Sequence, residues 1–179
     1  MIKRNKVFIA ASLDGFIADK NGGIDWLHSL PNPNNDDMGC FEFIKDIDAL
    51  VMGRTTFETV CGFDVDWPYE KPVFVLSNTL SEIPESHVGK AFLVKGSLTE
   101  ILEHIHQRGY HNLYIDGGTT IQGFLKEDLI DEMCITIFPI LLGGGSRLFS
   151  ELPNELSFEL IGTKTFLNQL SQYHYRRKR

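Results

Sequence analysis

The stretch YIDGGTTIQGFL, residues 114–125, ends a short apolar run on an acid and two glycines, then passes directly into two threonines and an amphipathic segment. Gly117 and Gly118 remove side chains where a strand should end. Ile121, Phe124 and Leu125 then recur at helical spacing. The pattern predicts a strand, a tight turn and a helix start, the place where an anion can rest on backbone N–H groups that no helix turn has yet used. A plain glycine turn fits the same letters, so the stretch by itself leaves two readings.

A second junction has the same design. DALVMG, residues 48–53, reads as a strand and runs into RTTFETV, where Thr55 and Glu58 stand three apart as a capping box. Each junction offers backbone N–H groups, hydroxyls and the positive end of a helix. A helix N-terminus favours an anion by roughly 0.3–1 kcal/mol when exposed. Two such ends suit a ligand with two phosphate groups, and Arg54 adds a planar cation for a phosphate oxygen. Leu76-Ser77-Asn78 supplies a third strand end with short polar groups.

Around these junctions the remaining elements fall into place. KVFIAASL (residues 6–13), PVFVLS (72–77), AFLVK (91–95) and NLYID (112–116) read as strands. A turn-rich piece follows the first, with a small hairpin around Phe16 to Ala18, and a helix capped by Asn35 or Asp36 is predicted up to Ile47. Ser97 and Glu100 form a further capping box, ahead of the stripe Leu98, Ile101, Leu102 and Ile105, and Gly109 stops that helix. LIDEMCITIFPIL is a long strand broken near Pro139, LLGGGSRLF a loop, and the last segments a final pair of strands. Strand then helix, four times, followed by strands alone, predicts an α/β fold: a largely parallel sheet flanked by helices, with an antiparallel C-terminal edge, in one domain over residues 1–179.

The bulk numbers narrow the function. A net charge of −7 over 179 residues argues against a general nucleic-acid binder. The ending YRRKR reads as a solvated strand end, with an anionic ligand or RNA as the alternatives. No apolar segment reaches membrane-span length, and the start lacks a secretory pattern. Cys40, Cys61 and Cys134 are odd in number and unpaired in spacing, which suits a cytoplasmic protein with free thiols. Gly118 to Gly123 has the spacing of a P-loop, but Phe124 and Leu125 stand where Lys and Ser/Thr are required. No Rossmann glycine pattern is present. The six histidines show no metal-ligand spacing.

VFIAASLDGFIA, GIDW, LVMGRTTFE, VFVLSN, LYIDGGTTIQGFL and FPILLGGGSRLF occur in that order. Together they resemble the dihydrofolate reductase-like family, in the branch that includes the C-terminal reductase domain of the bifunctional riboflavin-biosynthesis deaminase-reductase. The resemblance implies a mixed, mainly parallel, eight-stranded sheet, bound NADPH and a homodimer. It puts cofactor phosphate on Gly53, Arg54, Thr55 and Thr56, the adenosine 2′-phosphate region on Ser77 and Asn78, and the pyrophosphate on Gly117, Gly118, Thr119 and Thr120. In that family the glycine pair is commonly joined by a cis bond. The nicotinamide carboxamide falls to the backbone of Ala10 and Ala11, with Ile17 packing on the ring.

Two departures matter. No acid aligns with the carboxylate by which folate-reducing enzymes grip a pterin, and Asp116 stands where the riboflavin-pathway enzymes often have glutamate. The zinc signature of the deaminase is missing, so the bifunctional reading fails. Reducing a C=N or C=O can require a proton donor, and Asp14 and Asp116 are the candidates. Asp14 serves equally as a turn former, and Asp116 as a helix cap. Trp26, after the Gly22-Gly23 loop, is the candidate to stack on a flat heterocyclic substrate, pterin- or pyrimidine-like. The competing function is a non-catalytic NADP(H)-binding or sensory protein on the same fold.

Overall fold

A computed structural model describes residues 2–179. Along the described chain run β1 (Arg4–Ser12), β2 (Phe16–Ala18), α1 (Cys40–Lys45), β3 (Ala49–Gly53), α2 (Arg54–Cys61), β4 (Val73–Leu76) and β5 (Ala91–Val94). They are followed by α3 (Leu98–Gln107), β6 (Asn112–Asp116), α4 (Gly118–Lys126), β7 (Glu132–Phe138), β8 (Ser146–Arg147), β9 (Phe158–Phe166) and β10 (Leu170–Arg177). Eight strands form one sheet in the order β5-β4-β3-β6-β1-β7-β10-β9. The pairings from β5 through β7 are parallel, and β10 pairs antiparallel with both β7 and β9. The mainly parallel sheet with an antiparallel C-terminal edge is therefore as the sequence implies.

The strand period of two sorts side chains onto the faces. Val7, Val51, Leu113 and Ile115 turn to one face, where α3 contributes Ile101, Leu102 and Ile105 and α4 contributes Ile121, Phe124 and Leu125. Leu50, Met52, Val73 and Val75 turn to the other and meet Phe57 of α2, with Trp67, Tyr69 and Tyr114 at the margin. Parallel strands buried on both sides read as continuous apolar runs, and Ala49 to Met52 are wholly buried. Beyond β1 the helices stop. One face of β7, β10 and β9 has no helix over it, and Leu160 and Phe149 stand 52% and 46% exposed there.

Local expectations are corrected in four places. The first helix is shorter than predicted and starts at Cys40; its first turn is held by Asp37, which accepts from the Gly39 and Phe41 amides at 3.0 and 2.7 Å, not by Asn35 or Asp36. The piece Phe16 to Ala18 forms no local hairpin, because it pairs instead with β8, inside the segment read as a loop. Thr55 and Glu58 make no capping box: β3 runs into α2 without a linker, Gly53 takes the N-cap position, and Thr55 is already helical. Only the Ser97–Glu100 box forms among these two. Finally, the basic tail is pinned rather than solvated. Arg177 grips Asp128 through Nε and Nη2 at 2.6 and 3.0 Å, and Arg179 reaches Asp131 at 2.6 Å.

Phe124 is wholly buried between α4 and the sheet. Phe124→Ala should lower stability by about 3–5 kcal/mol, seen as a lower urea midpoint at unchanged slope.

Candidate active site

The carboxyl end of the sheet opens between its two central strands. The β1–β6 ladder ends at Lys6 opposite Tyr114, although β1 continues to Ser12 and β6 to Asp116. In a parallel strand the N–H and C=O of one residue point to the same neighbour. The Arg4 amide bonds to His111 O and the Tyr114 hydroxyl donates to Phe8 O, so alternate residues, including Ala10, turn their main-chain groups toward β6. Past the end of the ladder, Ala10 has only the gap to face. Ala11, by the same alternation, is turned to β7, opposite Ile137, and its side chain lies in the core. Of the alanine pair, Ala10 alone offers backbone to the cleft, a correction for Ala11.

The two glycine junctions meet at the same edge. A Cβ on Gly53 would lie 2.9 Å from Thr120 Oγ1, and one on Gly117 would collide with Thr56 Oγ1. Gly117 has φ +91°, so a side chain there is excluded twice, by the neighbour and by the backbone. A Cβ on Gly118 would lie 2.9 Å from Ile17 Cδ1 and 3.2 Å from Arg147 O. The start of α2, the start of α4 and the β2–β8 ribbon therefore close on one small volume. The Asp116–Gly117–Gly118 corner carries no cis bond, none being present among the described residues; Gly117 makes the turn at positive φ.

These helix starts are unlike that of α3. Neither Gly53 nor Gly117 supplies a side-chain cap, and the first-turn N–H groups of α2 and α4 are left without one. The hydroxyl of Thr120, a residue about nine-tenths buried, points at the junction. Thr56 is half-buried, while Arg54, Thr55 and Thr119 are exposed. Arg54 Nη1 donates to Thr79 Oγ1 at 3.3 Å, and Ser77 Oγ accepts from the Leu80 amide at 2.9 Å, so the ends of β3 and β4 form one polar rim; Asn78 beside them is exposed.

The two acidic candidates part company. Asp14 accepts from the Ser12 hydroxyl at 2.6 Å and from the Leu142 and Gly143 amides at 3.1 and 2.8 Å. Those hydrogen bonds, the Ser12 hydroxyl first, hold its pKa below the usual value. Asp14 thus clamps the glycine-rich loop and keeps its charge, which corrects its reading as a proton donor. Asp116 is the reverse. Burial pushes its pKa up to about 6, against the lowering effect of the Gly117 amide, 2.9 Å from Oδ1. It lines the open gap with Tyr114 on the same strand face, and its charge is felt at Tyr114, Tyr69 and Cys40.

Trp26 is also corrected. It is 7% exposed, with its ring edge-on to Phe138 at 5.3 Å and Leu170 in the same cluster, so it is core and has no face to offer a substrate. Tyr114 shares the face of β6 with Asp116, and Tyr69 and Cys40 lie near enough to feel its charge. Tyr114 was legible by its spacing of two from Asp116; Cys40 read only as part of a helix face with Ile44 and Ile47, and Tyr69 carried no sequence signal.

A model of the RibD C-terminal domain matches residues 6–171. The chain belongs to the RibD C-terminal domain family. A Shewanella sp. PV-4 protein assigned provisionally to riboflavin biosynthesis has a solved structure 59% identical in sequence, with TM-score 0.96 over 98% of this chain and 99% of that one. YwjB of Bacillus subtilis (strain 168), an uncharacterized protein, is 36% identical over 177 residues, 98% of each chain. The dihydrofolate reductase of Enterococcus faecalis, complexed with NADP(H), shares the fold at TM-score 0.69 and 18% identity, over 98% of this chain and 97% of that one. The fold of this RibD C-terminal domain protein is thus dihydrofolate reductase-like.

Because Asp116 holds its proton more tightly folded than unfolded, stability falls as pH rises from about 4 to about 6 and levels off above that. Asp116→Asn should therefore be more stable than the parent at pH 8, with the difference closing by pH 4, as read from thermal midpoints at both pH values.

Proposed function

We propose that this RibD C-terminal domain protein is an NADPH-dependent reductase acting on a small flat heterocycle, pterin- or pyrimidine-like. One observation carries the reading: two helices begin side by side at the carboxyl edge of the sheet, uncapped and so close that Gly53 and Gly117 each abut a threonine of the other helix and Gly117 admits no side chain. Ligands of open α/β sheets collect at this edge. Family membership and the fold shared with a dihydrofolate reductase support it.

The residues present fit a nicotinamide dinucleotide. The first-turn amides of α2 and α4, with the Thr56 and Thr120 hydroxyls, would hold the pyrophosphate, and Arg54 with Ser77 and Thr79 an adenosine 2′-phosphate. Ala10 would take the carboxamide through its backbone, and Ile17 would cover the ring. When bound, such a cofactor supplies a hydride. The chain itself orients the substrate and excludes water from the gap, and Asp116, whose pKa is raised to about 6, keeps a minor protonated fraction at neutral pH that can serve as the proton donor. The three unpaired thiols suit a reducing compartment, the cytoplasm.

NADPH titrated into the protein should give a saturable change in nicotinamide fluorescence at micromolar cofactor; its absence would sink the reading. Arg54→Ala should weaken NADPH more than NADH. Equal weakening would move Arg54 to the shared pyrophosphate.

Homodimer formation belongs to the same proposal. The bare face of β7 and β10 carries Ile135, Ile137, Tyr173 and Tyr175 around a shallow apolar groove that Phe149 and Phe158 flank. A second copy of the chain would cover it through the same patch on each partner. Light scattering should give twice the chain mass, and Leu160→Asp with Tyr175→Asp, at exposed and half-buried positions of that face, should give a folded monomer.

A further inference from the structure

The end of the sheet opposite the glycine junctions carries a second cluster of charge. β10 finishes on Arg176 and Arg177, which strand alternation turns to opposite faces. Arg177 is taken by Asp128. Arg176 falls on the face of its register partner, the buried Glu132 of β7. Four basic side chains converge on that one carboxylate. Arg4 Nη1 lies 2.8 Å from it, His174 Nε2 3.3 Å, and Lys6 Nζ and Arg176 Nε 3.8 Å each.

One carboxylate does not balance this set. Arg4 by itself gives Glu132 a hydrogen-bonded ion pair. Lys6 and Arg176 stand beyond hydrogen-bond distance, and among the described residues neither has another acid within ion-pair reach. Glu159, opposite Arg176 on β9, makes no ion pair with it. Three permanent positive charges thus meet one negative charge, in a chain whose net charge is −7. A further anion relieves their mutual repulsion. The space for one is open. His174 has Gly162 as its register partner, and a Cβ on Gly162 would meet nothing within 4 Å. Lys164, exposed, stands two residues further along the same face of β9. The result is a notch with a basic rim.

We propose that this notch binds a phosphate group, as the inorganic ion or as a phosphomonoester, on Arg4, Arg176 and His174, with Lys6 and Lys164 adding charge. Guanidinium groups match phosphate oxygens with paired N–H donors. The buried Glu132 is the support that holds Arg4 and His174 in place beneath the ligand. Five basic side chains around one glycine suit a single phosphate group, whereas a nucleic-acid strand needs a longer basic surface. Arg4 and Ala10 stand about 20 Å apart along β1, so the site is separate from the carboxyl edge and independent of what binds there. It also lies on the opposite face from Ile135 and Tyr173, which a second copy of the chain would cover.

Inorganic phosphate titrated into the full chain at fixed pH and ionic strength, with sodium chloride as the balancing salt, tests the site. The ring resonances of His174, assigned by their loss in His174→Asn, report on the notch. They should shift saturably with phosphate and not with chloride. Arg176→Gln should weaken phosphate binding about tenfold, the loss of one charge-assisted hydrogen bond. Lys164→Gln, at an exposed position, should weaken it severalfold through charge alone. Arg54→Ala, at the other end of the sheet, should change nothing. No saturable shift at His174, a shift that chloride reproduces, or a shift unaltered in Arg176→Gln would overturn the site. Loss in Arg54→Ala instead of Arg176→Gln would put the phosphate at the helix starts and overturn it equally. Methyl phosphate separates the two sources: binding of both ions supports a phosphomonoester ligand, and binding of inorganic phosphate alone supports the free ion.

Discussion

The site depends on how closely α2 approaches α4. Their first turns face each other across a space with room for Thr56 and Thr120 side chains on one side only, because the opposite positions are Gly117 and Gly53. That approach sets two rows of unpaired amides and two hydroxyls on a common point. Placed separately on the surface, each helix start would favour an anion by well under the free energy needed to hold one. Side by side, and partly withdrawn from water, they act on the same charges.

The gap between β1 and β6 is the other half of the arrangement. It exists because the ladder stops at Lys6 while both strands go on. The strand ends then diverge, and what they expose differs in kind: main-chain groups from Ala10 on β1, a carboxyl from Asp116 on β6. One surface of the opening recognises by hydrogen bonding without titrating. The other titrates near neutrality because burial has removed most of the water that would otherwise stabilise its charge. The two sides of the opening thus differ in electrostatic character over a few residues.

The architecture was legible in the sequence because apolar periodicity is a direct image of burial: the strands read as unbroken apolar runs, and the Ser97–Glu100 box closed α3 as its letters require. The same letters misled at Thr55. Threonine followed three residues later by glutamate is a cap only if the chain leaves the preceding strand before the threonine, and β3 gives it no residue in which to do so. The failed cap is what frees the amides at the start of α2. Asp14 and Asp116 could not be told apart from sequence, since each stands at a strand end beside glycine. Three donors, two of them from a loop 128 and 129 residues away, engage the first, and burial isolates the second. Tyr69 belongs to a segment without periodicity and Cys40 opens the helix α1, whose spacing says nothing of what its first residue meets; only the tertiary arrangement brings them near Asp116.

The position of β1 has a consequence for how the molecule is made. The first strand of the chain is an inner strand of the sheet, between β6 and β7, and Arg4 pairs with Asn112 and Lys6 with Glu132. Both partners come later in the chain. During synthesis an apolar strand with two open edges must wait until more than a hundred further residues have left the ribosome. Nascent chains of this topology therefore keep an unpaired apolar strand for most of their elongation, the condition under which wrong pairing competes with folding.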